Sequence, residues 1–482
     1  MRTREPAHLP LHRRLLFPTL DAERPLPPIV IPTASGSKRD PELEKLNDRL
    51  YHLIALILRA YVLSWYPRFS KDRSLLPTLS SQIVVPILSP ILSGVYHDPN
   101  RILQLLLLDL PAIFSLHWST YWQSRQAIRD TPHLFTPRSS DYIVDPQGTG
   151  PDLLGDVYHA RLPLLSVVPS PGTTYADTEG PYRLPTPGGQ YILSPLYLTS
   201  LADALIRLHL PPAEYGCTVE RVMAREIVGR AVLGAIGRKL GEGWFWWSLG
   251  LKLMGGGEAP AENWRERAES GIESIYRLII RVYSLLFFIW TFAVSLFARY
   301  TASPPSPPAY AHCAQPWAVL ARQVLGVDGR PGVSPQRWSV RLIWGCTEGI
   351  ITLLSPMIDR LLPHLLQSQL TPALSLRLIE VVEKVLFPLD GYPAPTPPDL
   401  TPEEAVMVRK QFEERLKGKI PRHIRAVLLP ENQDIKLLLD PLDNPGCNAH
   451  LVGMLVDTIV GALEPGLVAP KTRMSEAEVE AW

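Results

Sequence analysis

The chain has 482 residues, enough for two domains or one large composite unit, and 46% of them are hydrophobic, ample material for a core. Lys and Arg total 48 against 47 for Asp and Glu, a near-neutral balance that excludes a general nucleic-acid binder, which needs excess cations to displace counterions from phosphates. The 50 prolines, about twice the usual ~5%, divide the chain into bounded segments. The four cysteines (Cys217, Cys313, Cys346, Cys447) form no CxxC pair, which argues against disulfide staples and a cysteine zinc site and for a reducing, intracellular setting.

Residues 1–39 are rich in Pro and Arg, lack an apolar run long enough for a secretory signal, and read as a disordered arm. At Asp40-Pro41-Glu42 a helix starts, with Asp40 as cap and Pro41 in the first turn, where its missing N–H costs nothing. Leu43, Leu46, Leu50, Leu53, Ile57 and Tyr61 then recur at three- and four-residue steps, one apolar face turned to a core. The same punctuation returns at Ser194-Pro195, Thr371-Pro372 and Thr401-Pro402, the last completed as a capping box by Glu404. Helices are expected over roughly 40–66, 73–94, 99–129, 195–210, 215–254, 262–300, 316–325, 335–369, 371–387, 402–418, 421–428, 433–440 and 446–463. Alternating polar and β-branched runs are too short to suggest a sheet, so the predicted class is all-α. Residues 131–190, with PRSS, DPQGTGP and PTPGG, read as a long disordered connector, and 301–310 and 391–399 as shorter Pro-rich linkers.

Several separated elements carry a resemblance. Tyr61-Val62-Leu63-Ser64-Trp65-Tyr66 resembles the opening signature of the PXA (PX-associated) domain, and His117-Trp118 to Tyr121 with Ala127 resembles its following helix. Tyr197-Leu198, Leu210-Pro211-Pro212 and Glu220 to Ile227 are similar to its second half, placing such a domain at 40–254 with 131–190 as an insertion. Residues 255–315 then form a linker containing the hydrophobic helix 262–300. Phe387-Pro388-Leu389-Asp390-Gly391, Ile420-Pro421 and Cys447-Asn448-Ala449-His450-Leu451 with Leu455 and Asp457 resemble the Nexin-C (PXC) domain, at 316–465, with 466–482 as a tail. The 251–315 interval is too short for the PX fold found between these modules in the sorting-nexin-related family, so phosphoinositide recognition is not expected. The resemblance implies that the two halves pack as one composite helical unit around an elongated apolar cavity. It further implies a role in lipid binding at endomembranes, such as endosomes, vacuole, ER and lipid-droplet contact sites.

On that expectation, Leu105, Leu106, Ile227, Val228, Val232, Ile236, Ile350, Leu354 and Ile358 are the cavity candidates, drawn from apolar surfaces of 102–116, 227–236 and 350–366; the stretches around Leu105–Leu108 and Leu361–Leu366 are apolar nearly all round. A tight core is the competing assignment for such helices. Gly229, Gly234 and Gly237 either let helices approach closely or leave room for a ligand. The uncharged stretch 282–298 offers Leu285, Phe287, Phe288, Ile289, Trp290 and Phe292 for membrane contact. It reads as a spanning helix, a helix lying among headgroups, or a helix packed on the core. Trp244, Phe245, Trp246 and Trp247 are either interfacial anchors or a packed helix end.

Enzymatic signatures fail. GxSxG and Walker sequences do not occur, and Gly148 to Gly155 has the wrong spacing for a phosphate loop and no clear helix behind it. His117 and His450 lack a second ligand at metal spacing and read as structural histidines satisfied by backbone carbonyls. Asp457 is expected to hold a helix end or neighbouring side chain. The predicted function is non-enzymatic binding, transfer or tethering of fatty acid or phospholipid, with no cofactor or metal beyond a bound lipid. The alternative is a helical trafficking scaffold without lipid, recruiting protein partners through its Pro-rich segments.

Overall fold

The computed structural model describes residues 9–21, 24–31, 41–63, 66–68, 70–72, 74–130, 153–169, 191–210, 212–254, 310–330, 337–387, 401–420 and 432–468, with a few single positions between them. Over these residues the fold is all-α, apart from one two-stranded ribbon.

The first corrections fall in the N-terminal arm. Leu11–Leu16 forms a short helix (α1), and Leu16, Ile29 and Val30 are buried against Leu43, Leu46, Leu50 and Ile54 of α2 (Pro41–Tyr61). An extended strap buried in this way must find partners for its backbone groups. Asn47 Oδ1 accepts from the Ile29 and Val30 amides at 3.0 and 2.9 Å, while Ser93 Oγ accepts from Ile31 N and Ser89 Oγ donates to Ile29 O. Arginine and proline content therefore concealed a strap whose apolar residues complete the α2 surface.

Two long apolar helices follow, α3 (Leu75–His97) and α4 (Pro99–Asp130). Each contains one widened turn, at Ser80–Val84 and Leu105–Asp109, where Val85 N and Leu110 N donate back to Ser80 O and Leu105 O. Pro86 and Pro111 come directly after these turns. A proline ring presses on the carbonyl four residues back and offers it no N–H, so a widened turn upstream relieves the clash without ending the helix.

The long connector also yields structure. Leu153–Arg161 is a helix (α5) with Tyr158 fully buried, and Val167–Pro169 (β1) pairs antiparallel with Tyr191–Leu193 (β2) in the register Val167↔Leu193. Leu153, Leu154, Val157 and Tyr158 bear helical spacing, and Leu164, Leu165, Val167 and Val168 are apolar, the last two β-branched, a local signal outweighed by the Pro and Gly around it. A helix thus begins within the glycine-rich stretch 148–155, at Leu153.

Next come α6 (Pro195–His209), capped by Ser194, and α7 (Pro212–Gly216). α8 runs through three consecutive pieces, Thr218–Glu226, the wide turn Ile227–Leu233 and Gly234–Gly241. After an extended residue at Glu242, α9 (Gly243–Leu253) begins, so the single helix expected over 215–254 is broken twice. The remaining helices are α10 (Gln315–Leu325), α11 (Trp338–Gln369), α12 (Pro372–Leu386), α13 (Pro402–Lys419), α14 (Asn432–Leu439), α15 (Pro445–Leu463) and α16 (Pro465–Val468). Thr371 caps α12, and Thr401 with Glu404 forms the expected capping box on α13.

C-terminal helices meet N-terminal ones along several seams, among them α13 on α9 and α10 on α4. α12 lies along α2, placing Leu376 and Ile379 on the first core, with Arg49 and His52 facing Glu380 and Glu383. α15 is enclosed by α4, α5, α9 and the ribbon. Leu451 and Cys447 pack among Trp118, Tyr121, Trp122, Tyr158 and Trp247, while Ala449 and Val452 meet Val167, Tyr191 and Leu193.

Candidate functional site

A cluster of buried polar groups lies where α15 enters this aromatic surround. Asn444 caps α15 by accepting from Cys447 N, and Pro445 occupies its first turn, which fixes Asn448 and His450 on the inward side. Asn448 Nδ2 donates to Gly241 O at 3.0 Å and to Leu442 O at 2.8 Å, satisfying carbonyls from the end of α8 and from the turn before α15.

His117 is fully buried, with Nε2 3.0 Å from Pro441 O and Nδ1 2.9 Å from the Tyr158 hydroxyl. A carbonyl can only accept, so Nε2 carries the proton and Nδ1 accepts from Tyr158. By the same logic His450 Nδ1 donates to Gly446 O at 2.9 Å, and its Nε2 accepts from His159 Nδ1 at 2.8 Å. His159 stacks on Tyr191, whose hydroxyl donates to Asp156 Oδ1 at 2.7 Å. Burial holds both His117 and His450 down at about 4, and it pushes the Tyr158 hydroxyl well above its ordinary range. The hydroxyl and ring N–H groups of this hydrogen-bonded chain each have an acceptor, and burial favours the neutral forms of His117, His450 and Tyr158. That is the chemistry of a fastener.

His117 and His450 thus take the structural role expected of them, each bonded to a backbone carbonyl. The sequence alone did not reveal His159 beside His450, because its helix lay in a segment read as disordered. Asp457 accepts from the Tyr197 hydroxyl, a side-chain tie as expected. Asp440 joins Arg125 of α4 at 2.9 Å and Arg409 of α13 at 2.8 Å. The aromatic run of α9 is a packed helix end: Trp247 is buried against Phe412, and Trp246 Nε1 donates to Leu240 O.

The apolar candidates distribute differently from expectation. Leu105 is buried and Leu106 half-buried in the widened turn of α4, while Ile358 packs near Leu103, Leu107 and Tyr310. Val228 is half-buried, and the side chain of Val232 lies outside the described residues. Ile227, Ile236, Ile350 and Leu354 are exposed. A helix apolar around its whole circumference does not announce which side its neighbours will cover. Gly229 and Gly237 serve close packing: a Cβ at Gly229 would stand 3.1 Å from the Leu198 carbonyl oxygen, and one at Gly237 would strike Leu193. Leu285, Phe287, Phe288, Ile289, Trp290 and Phe292 lie outside the described residues.

Among the described residues four helices are long and apolar enough to cross a membrane: α3, α4, α11 and α15. α4 and α15 hold the buried polar seam. α3 and α11 are different, because only 11% and 17% of their most apolar windows are buried, and α11 carries more of the large exposed side chains. Leu342, Ile343, Ile350, Leu353 and Leu354 are exposed along it, and Trp338 at its start is 78% exposed.

The family model of the PXA domain matches residues 44–253, from α2 to α9. No curated protein and no solved structure matches the chain.

Proposed function

We propose that this chain is a non-enzymatic lipid-handling protein that works at endomembrane surfaces in trafficking, its PXA domain closed by a Nexin-C-like C-terminal half into one composite helical unit. The PXA match supports the trafficking role, since the domain is characteristic of sorting-nexin-related proteins. Asn448 and His450, two residues of the Nexin-C-like signature, bond or pack across to α5 and α8, as a composite unit requires.

The observation that carries the lipid assignment is the uncovered face of α11. An acyl chain loses about 0.8 kcal/mol per CH₂ on meeting water, roughly 12 kcal/mol for sixteen carbons. A protein that receives such a chain, or rests on the bilayer holding it, must present apolar surface with few charges to desolvate. Trp338, Leu342, Ile350 and Leu353 supply such a surface, while Glu348 is occupied by Arg322 and Trp344 Nε1. The partners are then lipids and the membrane surface, with no nucleic acid.

Native mass spectrometry and lipid extraction of the purified full chain test this directly. Fatty acid or phospholipid is expected to co-purify, and Leu342→Glu with Leu353→Glu to reduce it severalfold. A preparation free of lipid would sink the assignment.

A further inference from the structure

α8 has an unusual division of labour between its faces. Its inner side is locked: Ala224 is buried with Ile206 and Leu210, Gly229 lies on the backbone of Leu198 and Thr199, and Gly237 abuts Leu193. Its outer side carries exposed Val219, Val222, Met223 and Ile227, at steps that keep them in one stripe, and Ile236 after the wide turn. The helix also concentrates charge. Arg221, Arg225, Arg230, Arg238 and Lys239 stand against Glu220 and Glu226, five basic residues to two acidic, in a chain that is otherwise balanced. Glu226 is held between Arg225 at 3.7 Å and Arg230 at 3.0 Å, and Arg230, Arg238 and Lys239 are exposed beside the stripe.

We infer that this face docks the protein on anionic bilayers. The inference rests on the membrane role proposed above and adds to it the docking element and the headgroup charge it selects. An apolar stripe bordered by cations is the pattern of a helix lying in the headgroup region, the stripe entering the acyl boundary while the cations meet lipid phosphates. Charge complementarity points to a negatively charged lipid surface, because each cation brought close to one strengthens partition about fivefold. Exposed Cys217 at the start of α8 provides a built-in reporter of contact.

The test is co-sedimentation of the full chain with vesicles of phosphatidylcholine alone or with added phosphatidylserine. Binding is expected to be stronger to the anionic vesicles and to weaken as salt rises. The triple variant Arg230→Gln, Arg238→Gln, Lys239→Gln should lose roughly a hundredfold on anionic vesicles and little on neutral ones. Met223→Glu with Ile227→Glu should lose binding to both, and anionic vesicles should slow the reaction of Cys217 with a thiol reagent in a Cys346→Ser chain, which removes the other exposed thiol. All six substituted sites are exposed, and circular dichroism with a thermal melt verifies that each variant is folded. If folded variants sediment like wild type while lipid still co-purifies, the docking assignment to α8 is overturned and the lipid assignment stands. If no vesicle binds and no lipid co-purifies, both fall. A change in oligomeric mass by light scattering, without a change in vesicle binding, would overturn the docking inference by making the face a contact between copies.

Discussion

Asn448 shows how much rests on single side chains at the seam. Its amide nitrogen serves two carbonyls, Leu442 O in a buried bond and Gly241 O in a part-buried one, so Asn448→Ala removes a donor from both, at about 1–3 kcal/mol for a buried group left unsatisfied. The variant is expected to unfold at a clearly lower denaturant concentration. An unchanged midpoint would mean that water takes over the amide's role. His117 and His450 carry a pH dependence whose sign is determined by burial. Unfolded, each takes up a proton below about pH 6.5. Folded, each stays neutral until about 4. Between those values the unfolded chain binds more protons, so stability falls as pH drops, by about 1.4 kcal/mol per unit for each histidine, and their contribution is level above that window. Denaturant melts between about pH 7 and about pH 5 should show this slope, and His450→Gln should remove the share that His450 contributes, leaving that of His117. A slope unaltered by that change would place the titrating groups elsewhere.

Among the elements, legibility followed the strength of local chemistry. Ser194, Thr371 and Thr401 sit before prolines and cap their helices as expected, because a cap is decided within four residues. Thr401→Ala should accordingly cost about 1 kcal/mol, measured by thermal unfolding. α5 escaped detection because its nine residues lie between Pro- and Gly-rich stretches, and its stability comes from Tyr158 entering a distant core. The exposed faces of α8 and α11 were also illegible, since periodicity identifies an apolar side without saying what covers it. Close approaches are a further case. A Cβ at Gly243 would stand 2.8 Å from the Leu442 carbonyl oxygen and 3.2 Å from Asp443 Cα, both backbone atoms with little freedom to yield. Gly243→Ala is therefore expected to cost about 1–3 kcal/mol, as overpacking does. A melting temperature equal to wild type would show that the turn before α15 can shift.

For the whole molecule, the all-α class and most helix positions were readable from the order of caps and apolar steps, whereas the long-range pairings were not. The strap at 24–31 is the clearest instance, because only the folded α2 and α3 surfaces give Ile29 and Val30 a place to go. Deleting residues 1–31 should lower stability by several kcal/mol, given ~1.5–3 kcal/mol for each large apolar side chain buried. A truncated chain as stable as the full one would reinstate a dispensable arm.

The imidazole of His117 meets its acceptor, the carbonyl of Pro441, across 324 positions of sequence. At synthesis rates of about 5–20 residues per second, the ribosome needs roughly 16–65 s to deliver the second after the first. Throughout that interval the tryptophans of α4 lack the helix that will cover them. The nascent chain must be shielded or remain soluble on its own while it waits, and a premature stop ahead of α15 would strand it in that state.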